Sequence, residues 1–153
     1  METIREMNIT LQPITQDNWR ECIKLKVKDE QKHLVGSNEN SLAMCYVHPE
    51  INPFGIYLDD KIIGFITWAL DPDENIYYIN RFMIDENYQG NGYGKFALQL
   101  MIDKMKSIGV KTLDILHNPE NHSAMKLYQS LGFELTDIKV GTDAVSTLII
   151  SAK

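Results

Sequence analysis

Gln89-Gly90-Asn91-Gly92-Tyr93-Gly94-Lys95 is the stretch on which the reading of the fold turns, because three alternating glycines separate an apolar run, Ile76 to Ile84, from an amphipathic one, Phe96 to Ile108. The order is strand, glycine loop, helix. Glycine permits backbone conformations that side chains forbid and lets the chain approach a ligand closely, while the first turn of a helix presents unpaired N–H groups and the positive end of its dipole. Such a place suits a phosphate, and Lys95 adds a positive charge beside it. Two well-known nucleotide loops do not fit. A Walker loop needs Gly-Lys-Ser/Thr after four intervening residues, and a dinucleotide fingerprint needs Gly-x-Gly-x-x-Gly after a first strand with an acid about twenty residues on. The pattern here is Gln-x-x-Gly-x-Gly.

Working outward, Ile76 to Ile84 is almost continuously apolar, which predicts a strand buried on both faces in the middle of a sheet. Asn80 and Arg81 interrupt it, and a polar pair inside a central strand needs partners or a purpose. Before it come Phe54 to Leu58 and Lys61 to Leu70, a hairpin about Asp59-Asp60. A short first strand lies at Asn8 to Ile14. A helix capped by Thr15 or Asp17 follows, with Trp19, Cys22, Ile23, Val27 and Leu34 on its inner face. Ser41 to Val47 reads as a second helix. After the glycine loop, Ala97, Met101, Met105 and Ile108 repeat at helical spacing until Gly109 stops the helix. Lys111 to Leu116 is then a strand parallel to the one before the helix, joined by a right-handed crossover. Asn121 caps a last helix with Ala124, Leu127, Tyr128 and Leu131 inside and Gly132 at its end. Phe133 to Val140 and Ala144 to Ile150 close the chain as a hairpin.

The bulk numbers restrict the function classes. At 153 residues the chain suits one domain over 1–153. No apolar run approaches the ~20 residues of a membrane span, and Met1 to Glu6 has neither the basic start nor the apolar stretch of a signal peptide, so a cytoplasmic location and no membrane partner are expected. The net charge of −6 argues against nucleic acid, which usually demands a basic stripe. It is compatible with a cationic small substrate. Cys22 and Cys45 match no metal or redox spacing and are expected reduced and packed. His117 and His122 are separated by Asn-Pro, so no helical face brings them together and no metal is expected.

A second constellation, Asn121-His122-Ser123-Ala124, then Leu127-Tyr128, then Leu131-Gly132-Phe133, follows Gln89 to Gly94 with a strand between them. Together these closely resemble the GCN5-related N-acetyltransferases (GNAT) across nearly the whole chain. The resemblance implies an α/β (α+β) fold with a mixed, mostly antiparallel sheet splayed between strands four and five and flanked by about four helices. It implies acetyl-CoA as cosubstrate, with the diphosphate on Gln89 to Lys95, the pantetheine arm along Phe82, Met83 and Ile84, Asn121 and Ser123 on the cofactor, and Tyr128 aimed at the sulfur. Similarity sharpens toward bacterial diamine and polyamine acetyltransferases at Asn18-Trp19, Leu25-Lys26-Val27, Gln31 and Arg81-Phe82-Met83-Ile84-Asp85. The expected partner is therefore a small-molecule amine, with a homodimer the self-association allowed for.

Acetyl transfer to an amine needs a neutral nucleophile, a donor for the thioester oxygen and a proton for the leaving thiolate. A phenol with pKa ~10 stays protonated at neutral pH, which suits Tyr128 as the acid. A backbone N–H near Phe82 or Met83, freed by the splay, would serve the oxygen. Several polyamine acetyltransferases carry Asp or Glu where this chain has Asn80, and an amide has no useful basicity. A carboxylate among Glu30, Glu39, Glu74 and Glu86, or a substrate that arrives neutral, would have to replace it, and Glu30 and Glu74 are the candidates to hold a substrate's distal ammonium. A peptide or lysine acetyltransferase and a non-catalytic CoA sensor are the alternatives.

Overall fold

The computed structural model describes residues 8–150; the reading of Met1 to Glu6 lies outside them. The elements in order are β1 (Ile9–Pro13), α1 (Trp19–Lys24), α2 (Asn38–Val47), β2 (Ile51–Leu58), β3 (Lys61–Asp71), β4 (Ile76–Ile84), α3 (Tyr93–Ser107), β5 (Thr112–His117), α4 (His122–Ser130), β6 (Glu134–Val140) and β7 (Asp143–Ile149). One sheet runs β1-β2-β3-β4-β5-β7-β6. Every pairing is antiparallel except β4 with β5, as the crossover through α3 requires. This is the mixed, mostly antiparallel sheet that the sequence resemblance implies.

Helix α3 packs against β1 and β4 on one face of the sheet, and α1 and α2 cover β3 and β2 on the other. On α3 the positions Ala97, Leu98, Met101, Ile102 and Met105 are all buried. They meet Ile63, Ile66, Ile79, Leu113 and Ile115 of the sheet in the main core. Truncating one such Leu or Met to Ala costs about 2–5 kcal/mol. A smaller core on the opposite face joins Cys22, Tyr57, Ile62, Phe65 and Met83.

Several local expectations are corrected. Helix α1 stops at Lys24, so Val27 and Leu34 lie beyond it, and Trp19 is 38% exposed with the Arg20 guanidinium 5.0 Å over its ring. The apolar spacing there continued past a helix that Leu25 ends in extended geometry. Neither Thr15 nor Asp17 is its cap; Asn18 holds that place and uses its side chain on Thr15 N–H, the Pro13 carbonyl and the Tyr57 hydroxyl. Helix α2 begins at Asn38, where the Ser37 hydroxyl accepts from Asn40 N–H. Strand β2 starts at Ile51 and runs through Pro53, and α3 starts at Tyr93. Strand β4 is central but not buried throughout: Tyr77, Tyr78, Asn80, Arg81 and Phe82 are half-buried. Tyr77 and Phe82 pack partly against the main core, while Asn80, Arg81 and Phe82 border open space.

Candidate active site

That open space originates in the hydrogen bonding of β4. Trp68 of β3 pairs with Ile79 and Thr67 pairs with Arg81, which leaves Asn80 as an extra residue, a bulge. The pairing of β4 with β5 covers only Tyr77, Tyr78 and Ile79, opposite Leu113, Asp114 and Ile115. Beyond that rung the two strands part. The N–H of Arg81 is taken from the β3 side by the Thr67 hydroxyl at 3.1 Å. Because main-chain donors alternate sides along a strand, the N–H of Phe82 faces the opening.

The opening contains a cavity of about 310 Å³, with Phe82, Met83 and Ile84 on one wall and Asn121, Ser123 and Tyr128 on the other. Gly90, Gly92, Gly94 and Lys95 lie at its far end. Gly92 is the N-cap of α3 in the left-handed conformation, φ 82°, with no side-chain cap and no acid in the first turn. The first-turn N–H groups and the dipole are thus available to an anion. Two residues expected on the cofactor do not line this cavity. Asn91 turns its amide onto the carbonyls of Tyr88 and Gln89, and Tyr93 packs against the main core. Gln89 does line it, but its amide donates to the Ile84 carbonyl at 2.9 Å and to Gln31 Oε1 at 3.0 Å, bracing the loop.

Tyr128 stands where two cavities meet. Its ring is buried against His117, Phe133 and Phe82, at centroid distances of 5.4, 6.1 and 6.4 Å. It borders both the cavity just described and a second one of about 270 Å³ that also touches Asn80, Arg81 and His117. Burial pushes the Tyr128 phenol well above its ordinary pKa, so it holds its proton throughout the neutral range. Asn121, at the N-cap of α4, accepts from Ala124 N–H at 3.3 Å and borders both cavities as well.

The second cavity includes a residue that the sequence reading weighed only as a metal ligand. His117 alternates with Leu113 and Ile115 on the inner face of β5, and that period-two pattern was the signal that it faces inward. Its Nε2 lies 3.0 Å from the Ser146 hydroxyl and its Nδ1 3.4 Å from the Asn118 carbonyl. Burial, the largest influence, lowers its pKa. Asn80 offers no free acceptor here without competition, since its Oδ1 already accepts from Arg81 Nη1 at 3.2 Å.

A third cavity, about 550 Å³, adjoins the second, with Asn80 and Leu116 in the walls of both. Its walls combine apolar Met44, Ile51, Ile76 and Ile138 with the carboxylates Glu50, Asp71, Glu74 and Asp114. Asp114 accepts from the Thr147 hydroxyl at 2.7 Å. Asp71 accepts from the N–H groups of Asp73 and Glu74. Burial, then the charges of Glu50 and Asp71, raise the pKa of Tyr78 at this wall. Of the two predicted substrate carboxylates, Glu74 is brought here. Glu30 is not: it is exposed on the turn at Asp29–Gln31 and borders none of the three cavities. Asp71 and Asp114, half-buried at a strand end and inside a strand, were not expected.

A sheet opened beside a glycine-capped helix, with a strand edge on one side and a protonated tyrosine on the other, defines an acyltransferase that takes its acyl group from a coenzyme A thioester. Residues 11–133 match the Acetyltransferase (GNAT) family, and the chain belongs to it. It is an acetyl-CoA-dependent N-acetyltransferase. It is 28% identical over 135 residues to the spermine/spermidine N(1)-acetyltransferase of Bacillus subtilis (strain 168), covering 84% of this chain and 89% of the relative. With the [ribosomal protein bS18]-alanine N-acetyltransferase of Escherichia coli (strain K12) it shares 38% identity over 111 residues, 72% of this chain and 73% of the relative. The fold superposes on the PaiA N-acetyltransferase of Thermoplasma acidophilum in complex with coenzyme A, with TM-score 0.69, 18% identity, and 94% and 100% of the two chains covered.

Proposed function

We propose that this enzyme acetylates a primary amine of a small aliphatic diamine or polyamine by direct attack on acetyl-CoA. The observation that carries the reading is the third cavity. It combines carboxylates with apolar side chains and shares Asn80 and Leu116 as wall residues with the cavity that Tyr128 lines. A polyamine alternates ammonium groups with methylenes and matches that lining. A carboxylate holds a distal ammonium better than a neutral group does, because the charge-assisted bond is roughly twice as strong.

In the reaction, the diphosphate sits on the N–H groups at the start of α3 beside Lys95, and the pantetheine amides pair with the free edge of β4 from Phe82 to Ile84. The neutral amine nitrogen attacks the thioester carbon and forms the C–N bond. The carbonyl oxygen becomes negative and is met by the Phe82 N–H. Collapse breaks the C–S bond, the thiolate takes its proton from the Tyr128 hydroxyl, and the extra proton on nitrogen leaves to water and restores the phenol. With its pKa raised, Tyr128 is a reluctant donor. It gives a strong hydrogen bond first and the proton only as the C–S bond yields.

The Escherichia coli relative supports a different acceptor, a peptide N-terminus. One panel separates the readings: thiol release from acetyl-CoA with spermidine, spermine, a monoamine of similar length that lacks the distal ammonium, and a short Ala-initiated peptide. The polyamine reading expects spermidine or spermine to lead in kcat/KM, and Asp71→Asn or Asp114→Asn to raise KM for them by about tenfold without changing the monoamine. Preference for the peptide overturns it, and tight coenzyme A binding with no turnover on any amine indicates a sensor.

A further inference from the structure

An alkylamine with a pKa near ~10.4 is only about one part in a thousand neutral at pH 7.4, so the enzyme needs a means of favouring the uncharged form. Asn80 is not a base, and burial keeps His117 neutral while both its ring nitrogens face local partners. The reacting end of the acceptor space is instead bordered by an unneutralised cation. Arg81 is half-buried, and its guanidinium is held only by uncharged acceptors. Nε donates to the Ser41 hydroxyl at 3.1 Å, Nη1 to the Asn80 carbonyl at 3.1 Å and to Asn80 Oδ1 at 3.2 Å, and Nη2 to Met44 Sδ at 3.5 Å. The loop at Gly36 lies against it, so that a Cβ added there would be in ordinary contact, 3.5 Å from Nε. Among the described residues the ion pairs are Lys26 with Glu86, Lys32 with Asp29 and His48 with Glu50, none of which involves Arg81.

We propose that the Arg81 charge, fixed by Asn80 on the wall of the cavity that Tyr128 also lines, disfavours the ammonium form of the acceptor's reacting nitrogen and so delivers it neutral for attack. Like charges at close range inside a cavity oppose each other strongly, and the uncharged member of the pair is the one that binds. The surrounding groups act in known senses. Lys32 and His33 border the same cavity, Lys32 with its charge already engaged by Asp29 at 2.8 Å. Asp143 of β7 is the one carboxylate on this cavity's wall. From α2, Cys45 feels the guanidinium, which works against the upward push of burial on that thiol. Beyond Asn80 the sign reverses, with Asp71 and Asp114 the half-buried carboxylates. The site therefore has a cationic end that repels an ammonium and an acidic end that retains one, and a diamine can satisfy both only with its near nitrogen uncharged.

This inference rests on the polyamine reading for the distal end, but its test needs only an amine that is acetylated. The pH dependence of kcat reports ionisation in the ternary complex, whereas that of kcat/KM reports the free species. With the best amine of the panel, Arg81→Gln should raise the pKa of the ascending, acid-side limb of the kcat profile by roughly one to two units and leave the kcat/KM limb in place. Arg81→Lys, which restores a positive charge, should keep the wild-type profile. Coenzyme A affinity serves as the check that each variant is folded, and Arg81→Lys against wild type keeps the test open should Arg81→Gln fail it. A kcat profile whose pKa is the same in wild type and Arg81→Gln, or one displaced equally by Arg81→Lys, overturns the inference while leaving the acceptor class untouched. Turnover with a monoamine but no diamine defeats the polyamine reading alone.

Discussion

Gln31 and Gln89, fifty-eight positions apart, hold each other by two reciprocal amide hydrogen bonds of 3.2 and 3.0 Å. Gln89 also donates to the Ile84 carbonyl. The glycine loop is thereby fixed to the turn at Asp29–Gln31 and to the end of β4, so that its N–H groups are aimed before a ligand arrives. A neutral hydrogen bond is worth about 1 kcal/mol net, close to fivefold in affinity. Gln31→Ala should weaken coenzyme A binding by about three- to tenfold in calorimetry, and Gln89→Ala, which also frees the Ile84 carbonyl, by more. Unchanged affinity in Gln31→Ala would show that the loop is aimed by its own turn alone.

Gly92 has φ 82° as the N-cap of α3, where a non-glycine residue bears about 1–2 kcal/mol of strain. A branched side chain would also cover the N–H groups that face the cavity. Gly92→Val should keep its far-ultraviolet circular dichroism and lose coenzyme A binding by about a hundredfold or more. Retained binding would move the diphosphate elsewhere.

Tyr128→Phe keeps the ring among Phe82, His117 and Phe133 and removes only the hydroxyl. Turnover should fall by about 10²-fold to 10⁴-fold, the range for a positioned acid, with coenzyme A affinity within threefold. Because burial raises the phenol's pKa, the wild-type enzyme should show no loss of kcat from this group up to about pH 10. A drop in turnover under threefold would make Tyr128 a packing residue.

The fold was legible because its decisive signals are local. Ile76 to Ile84 was bounded correctly from its apolar run, and Asn121 and Gly132 mark the ends of α4 as capping chemistry requires. The cavity proposed for the cofactor was legible to the extent that Gly90, Gly92, Gly94 and Tyr128 all line it. The acceptor side was not, because it is assembled by register: Asp114 faces the third cavity beside Tyr78 only because these two residues pair across β4 and β5. The bulge at Asn80 depends in the same way on which residues of β3 it skips. Glu30 was chosen for its charge, which says nothing about which side of a short turn it occupies.

His117 yields a prediction about stability whose sign can be worked out. Burial lowers its native pKa below the ordinary ~6.5, against the raising influences of the Asn118 carbonyl and Asp143. The unfolded chain therefore takes up the proton first as pH falls. The stabilisation from keeping this ring neutral is complete above about pH 6.5 and is lost as pH falls from there through the native pKa. Protonation would also place a cation against the Tyr128 ring, 5.4 Å away, and make Nε2 a donor toward Ser146, whose hydroxyl can then only accept. His117→Gln keeps a hydrogen-bonding group toward Ser146 and removes the titration. Thermal unfolding from pH 7.5 to 5.5 should lower the wild-type Tm more than that of His117→Gln, while the carboxylates common to both contribute equally and cancel in the comparison. Two parallel Tm curves over that window would mean that His117 has the same proton affinity folded and unfolded, and that water reaches the ring beside Tyr128.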